Sequence, residues 1–115
     1  MSIGVTGLIL AGGRGSRMGE VDKGLQPFRG RPMVEHVLER LRPQVDALLI
    51  NANRNLERYR AYGYPVVEDD VTGFIGPLAG FERGLAHATT PWVVTAPCDS
   101  PFLPTDLVAR LAAAR

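Results

Sequence analysis

Four short apolar runs rich in β-forming residues, each ending in glycine, polar or turn-forming residues, alternate with stretches whose apolar positions recur at helical spacing. The runs at 5–10, 47–50, 65–67 and 92–96 read as strands. The first two lack polar alternation, which marks strands buried on both faces. Pro32 opens a helix in which Met33, Val34, Val37, Leu38 and Leu41 recur until Pro43. Residues 56–62 form a short polar helix ended by Gly63, Pro77 opens a helix through 87, and Pro104 opens a last one through 111. Alternation of this kind predicts a mostly parallel sheet wrapped by right-handed crossovers, a doubly wound, three-layer, Rossmann-like α/β fold. Ligands of such sheets bind beyond the carboxyl ends of the strands, here the segments 11–24, 51–54, 68–76 and 97–102.

The totals agree with a single domain over residues 1–115: hydrophobic residues make up 45% and charged residues 22%, the ordinary globular balance. A lone cysteine, Cys98, excludes an internal disulfide, offers no metal cluster and fits a reducing compartment. No segment reads as a signal peptide or a membrane span. The net charge of +1 hides an asymmetry, because residues 1–60 carry ten Lys/Arg against six Asp/Glu and residues 61–115 carry three against six. A basic half facing an acidic half suits a polyphosphate and its cation, a chance distribution explains it equally well, and neither gives support to nucleic-acid binding.

The loop after the first strand reads Leu10-Ala11-Gly12-Gly13-Arg14-Gly15-Ser16-Arg17-Met18-Gly19-Glu20-Val21-Asp22-Lys23-Gly24. Its five glycines let the backbone turn its N–H groups against phosphate oxygens, and Arg14, Arg17 and Lys23 add positive charge. Two better-known phosphate motifs fail here. Met18 stands where the dinucleotide fingerprint needs its third glycine, and Leu25-Gln26 follows Gly24 where a P-loop needs Lys and then Ser or Thr. Lys23 is the only lysine among thirteen basic residues, and a compact ammonium sits between phosphates in a way arginine's flat fork does not.

Asp99 follows Pro97-Cys98 at the end of the fourth strand. Opposite a phosphate loop, its carboxylate suits Mg²⁺, which takes one or two protein carboxylates and shares its other positions with water and phosphate; by itself Asp-Ser-Pro is a turn signal. Asn51 and Asp69 leave the second and third strands, where they either form turns or hold ribose hydroxyls and a base edge. Gly76-Pro77-Leu78-Ala79-Gly80 is a helix start that either admits a flat base or packs closely. Cys98 reads as a small buried filler, His36 and His87 as structural, and Tyr59, Tyr62 and Tyr64 as covers for core edges.

Taken together, Leu10-Ala11-Gly12-Gly13 with Arg17-Met18-Gly19, Asp22-Lys23-Gly24, Gly30-Arg31-Pro32, Asn51-Ala52-Asn53-Arg54, Gly76-Pro77-Leu78-Ala79-Gly80 and Pro97-Cys98-Asp99 resemble the molybdenum cofactor guanylyltransferases. The glycine motif alone belongs to many nucleotidyltransferases; the Asn-Ala-Asn-Arg and Pro-Cys-Asp elements narrow the likeness to the molybdopterin branch. The resemblance implies GTP contacts at Leu10, Ala11, Gly12, Lys23, Asn51, Asp69 and Asp99, with Gly13, Gly76 and Gly80 completing the expected pocket. It implies Mg²⁺ on Asp99, with Lys23 and Arg17 on the departing pyrophosphate. It further implies a cytoplasmic bacterial enzyme that adds GMP to molybdopterin, and proteins that deliver the product to molybdoenzymes. Members of that family continue past the point corresponding to Arg115, so a GTP half is expected here, with most of the acceptor half beyond it. On residues alone, CTP transfer to molybdopterin, nucleotide transfer to a sugar phosphate, and a non-catalytic GTP- or partner-binding module stay open.

Overall fold

A computed structural model describes residues 4–11, 22–68, 90 and 92–114. Strand β1 (Val5–Leu10) is followed by a hairpin of two short strands, β2 (Pro27–Phe28) and β3 (Arg31–Pro32), then helix α1 (Met33–Leu41) and strand β4 (Ala47–Asn51). Helix α2 (Leu56–Arg60), strands β5 (Val66–Val67) and β6 (Trp92–Pro97), and helix α3 (Leu107–Ala114) complete the described elements. The main sheet has the order β5-β4-β1-β6, with every neighbouring pair parallel. From β1 the chain steps outward through β4 to β5 and then returns to β6 on the opposite side of β1. That reversal is the doubly wound pattern, and it puts the topological switch point between β1 and β6.

The sheet is central because its middle strands have nothing to show water. Thr6 through Ile9 of β1 and Leu48 through Asn51 of β4 are all buried, and all but Thr6 and Asn51 are non-polar, as strands covered on both faces require. Helix α1 turns Val34, Val37, Leu38 and Leu41 inward, the i, i+3, i+4, i+7 stripe of an amphipathic helix. These side chains join Ile9, Ile50 and Tyr59 in one core. No helix among the described residues is long and apolar enough to cross a membrane.

Three departures from the expected elements have local causes. The helix expected to open at Pro32 begins at Met33, because Pro32 has an extended ψ of 144° and closes the hairpin instead. The hairpin turn needs positive φ at Arg29 (53°) and Gly30 (81°), the primed geometry that matches strand twist. His36 holds it: Nε2 donates to the Phe28 carbonyl at 2.6 Å, which leaves Nδ1 to accept from Arg31 at 3.4 Å. Strand β5 starts at Val66 because Pro65, lacking an N–H, contributes only its carbonyl to Ile50 (3.0 Å). The last helix begins at Leu107 rather than Pro104, where Gln44 reaches across to accept from the Val108 N–H at 2.8 Å. The helix expected at 77–87 lies outside the described residues.

Leu41→Ala, which empties a fully buried site, should destabilise the protein by about 2–5 kcal/mol, whereas Leu111→Ala at a half-exposed site should stay within about 0.5 kcal/mol. Urea unfolding of both variants measures the contrast; equal midpoints would contradict this packing.

Candidate functional site

The sheet's carboxyl edge is level. Leu10 stands in register with Asn51 on one side and Pro97 on the other, and Asn51 with Val67. Pairing continues one residue past the strands: Ala11 N donates to Asn51 O (2.8 Å), Cys98 N to Leu10 O (3.2 Å) and Ala52 N to Val67 O (3.0 Å). The chain therefore leaves β1 and β6 side by side at the switch point, where open α/β sheets have their binding crevice.

Lys23 sits on a tight turn beside this edge. Asp22 caps it: its Oδ1 accepts from Gly24 N at 3.2 Å, while Leu25 N bonds Asp22 O (3.0 Å) and Gln26 N bonds Lys23 O (3.2 Å). The next residue, Gly24, is buried so closely that a Cβ there would lie 2.5 Å from the Tyr59 hydroxyl and 3.1 Å from Cys98 Cβ. Only glycine brings the backbone this near. The turn bearing Lys23 thus abuts the strand end that leads to Asp99, and both side chains are exposed.

Cys98 lies beneath them as packing. Burial pushes its thiol up to about 12, the Asp99 and Asp22 carboxylates add to the rise, and the Lys23 ammonium opposes it. A thiol so held is protonated at neutral pH and inert as a nucleophile.

The loop after Asp99 is braced. Phe102 packs edge-on against Phe28 with centroids 5.5 Å apart, and the Arg29 guanidinium lies 5.1 and 5.3 Å from the two ring centroids. Arg40 Nη1 donates to Leu103 O at 3.1 Å, and Gln44 Nε2 to Pro104 O at 2.9 Å. The hairpin and α1 thereby fix both flanks of the segment that starts at Asp99.

Of the expected site residues, Leu10, Ala11, Lys23, Asn51 and Asp99 are described, and all five lie on or beside the carboxyl edge. Asn51 is buried, with its Nδ2 donating to Val67 O at 3.2 Å, so it ties β5 to the sheet. Gly12, Gly13, Arg17, Asp69, Gly76 and Gly80 lie outside the described residues, as does His87. The sequence reading missed Asp22, Asn55 and Tyr59 as a linked set. Tyr59 Oη donates to Asp22 Oδ1 at 2.6 Å and Asn55 Nδ2 to Asp22 Oδ2 at 3.0 Å. The available signal was an Asx residue ahead of each turn, at Asp22 and at Asn55.

The parallel, doubly wound α/β sheet with its switch point between β1 and β6 is a nucleotidyltransferase-like fold. A family model described as MobA-like NTP transferase domain matches residues 7–115, and the chain belongs to that family. A molybdenum cofactor guanylyltransferase of Cupriavidus taiwanensis is 68% identical over 110 residues, 96% of this chain and 55% of that protein. The chain spans about half the length of the curated relatives it matches. Among solved structures, Rv0371c from Mycobacterium tuberculosis in complex with manganese aligns at TM-score 0.70 and 23% identity, covering 99% of this chain and 60% of its own. A CMP:2-keto-3-deoxy-manno-octonic acid synthetase complexed with CTP aligns at TM-score 0.76 and 19% identity, covering 97% and 47% respectively. Both share the fold.

Because the folded chain holds the Cys98 proton more tightly than the unfolded chain, whose thiol has the ordinary value of 9.0, this group's contribution to stability is intact below pH 9. It is lost as pH rises toward about 12. Iodoacetamide at pH 8 should leave the native thiol unmodified for a period that fully alkylates urea-unfolded chain. Equal alkylation rates in the two states would contradict the buried placement.

Proposed function

We propose that this chain supplies the GTP-binding half of an enzyme that transfers GMP from GTP to molybdopterin, releasing pyrophosphate. The observation that supports the reading is the packing of Gly24 on Cys98, which brings the turn carrying Lys23 beside the strand end that leads to Asp99. Family membership and the guanylyltransferase names of relatives 68% and 67% identical supply the substrates.

In this reading the terminal phosphate oxygen of molybdopterin attacks the α-phosphorus of GTP in line. A new P–O bond forms, the bond to the β-phosphate breaks, and pyrophosphate leaves with both bonding electrons. The protein needs no nucleophile, so positioning and charge neutralisation supply the rate. The Lys23 ammonium, with Arg17 from the glycine loop, neutralises the departing pyrophosphate oxygens. Backbone N–H groups of that loop, through Gly12 and Gly13, cradle the same phosphates, while Asp69, Gly76 and Gly80 line the nucleoside side.

Asp99 is the residue suited to a divalent cation. Its side chain is exposed just past the carboxyl end of β6. That fits Mg²⁺, which is content with one or two protein carboxylates when phosphates and water fill its other positions. When bound, the cation offsets charge on the phosphate oxygens. Manganese in the Rv0371c structure supports a divalent ion in a fold of this kind. A lone buried cysteine suits a cytoplasmic setting, and the resemblance to the molybdopterin branch adds hand-over of the product to delivery proteins.

In an enzyme that also carries the acceptor half, Lys23→Ala and Asp99→Ala should each lower the rate of pyrophosphate release from GTP and molybdopterin by about 100- to 1000-fold. Wild-type rates would contradict the assigned roles. Binding titrations with Mg²⁺ present should favour GTP over CTP, ATP and UTP, and a preference for CTP would overturn the choice of substrate.

A further inference from the structure

Asp22 is acidic and next to the functional lysine, yet its oxygens are committed to the protein. Oδ1 accepts from Gly24 N and from the Tyr59 hydroxyl, and Oδ2 accepts from Asn55 Nδ2. The donors come from two separate parts of the chain: the turn that carries Lys23, and α2 with the residue before it. Asn55 takes a left-handed conformation (φ 53°) in capping α2, and its carbonyl accepts from Arg58 N (3.0 Å) and Tyr59 N (3.2 Å). Its amide is thus delivered to Asp22 from a fixed backbone. Tyr59 is fully buried, which fixes the other donor, and burial followed by the Asp22 hydrogen bond raises its phenol well above the ordinary range.

Three donors need two acceptor oxygens. A carboxylate supplies both, whereas a carboxamide supplies one and turns a second donor toward Asn55. Lys23 itself is exposed and sits on a long flexible stem, so the aim of its ammonium depends on how firmly its turn is held. The turn is pressed against Cys98 and Tyr59 through Gly24, and it is tied to α2 by the bond from Tyr59 to Asp22.

We propose that Asp22, anchored by Tyr59 and Asn55, is the positioning residue for Lys23, acting on nucleotide phosphates only through that lysine. The proposal rests on the phosphate role given to Lys23 above. It belongs to the chain's own geometry and requires no contact between Asp22 and the ligand or its cation.

The test is a double-mutant cycle on Kd for GTP with Mg²⁺ and, in an enzyme that also carries the acceptor half, on kcat/KM for pyrophosphate release, using wild type, Asp22→Ala, Lys23→Ala and the double variant. Asp22→Ala should cost about tenfold in the wild-type background and less than about twofold once Lys23 is alanine, since a residue acting through Lys23 has nothing left to act on. Asp22→Asn should recover part of the loss. Tyr59→Phe keeps the ring in the core while deleting one donor, and it should lose about threefold, again only when Lys23 is present, which holds if Asp22→Ala folds poorly. A tenfold cost of Asp22→Ala that persists undiminished in a Lys23→Ala protein already impaired would overturn the positioning role alone. A Lys23→Ala protein with normal turnover would instead overturn the phosphate role of Lys23, and the positioning role with it.

Discussion

The closeness of Gly24 to Tyr59 and Cys98 is the contact on which the geometry of this site depends. A parallel sheet delivers strand ends to a common edge, but it does not by itself bring a loop emerging from β1 back over the end of β6. The missing side chain at position 24 allows that approach, and the Asp22 carboxylate holds it through Gly24 N and the Tyr59 hydroxyl. Any larger residue would have to displace a tyrosine locked in the core, which costs strain rather than a simple rotation. The position of Lys23 relative to Asp99 is therefore set by packing deep in the domain.

Rigidity around the crevice is distributed in the same manner. The hairpin at 27–32 braces the segment beyond Asp99 through Phe28, Arg29 and Phe102, and is itself pinned to α1 by His36. Arg40 and Gln44 fasten the following residues to the end of α1, with Gln44 also satisfying an orphan N–H at the start of α3. Catalysis by electrostatics alone depends on groups that are in place before the reaction begins. The scaffold meets that condition with ring packing and side-chain hydrogen bonds, and the charges of Lys23 and Asp99 stay exposed.

Much of this was legible in the residues because it rests on local signals. The unbroken apolar runs of β1 and β4 and the stripe on α1 express burial directly, and their alternation dictates parallel order. Lys23 and Asp99 stood out because each follows a strand end in a chain whose ligand edge was predictable. The hairpin escaped notice since its paired segments are two residues each and its turn has Arg29 before Gly30 rather than the usual Asn or Asp. The starting point of α3 depends on Gln44, and the hold on Lys23 depends on a tyrosine 37 positions from Asp22. A single sequence carries no sign of which distant side chains meet, so such links emerge only from the fold.

The claim that one metal-bound triphosphate occupies the space between Lys23 and Asp99 is tested most directly by a crystal structure with Mn²⁺ and a GTP analogue whose α–β bridge cannot be cleaved. The account predicts an anomalous manganese peak coordinated by the Asp99 carboxylate and phosphate oxygens, with the Lys23 ammonium on the same phosphate chain. Nucleotide bound elsewhere on the protein, or in this crevice with Lys23 and Asp99 touching neither phosphate nor metal, would contradict it.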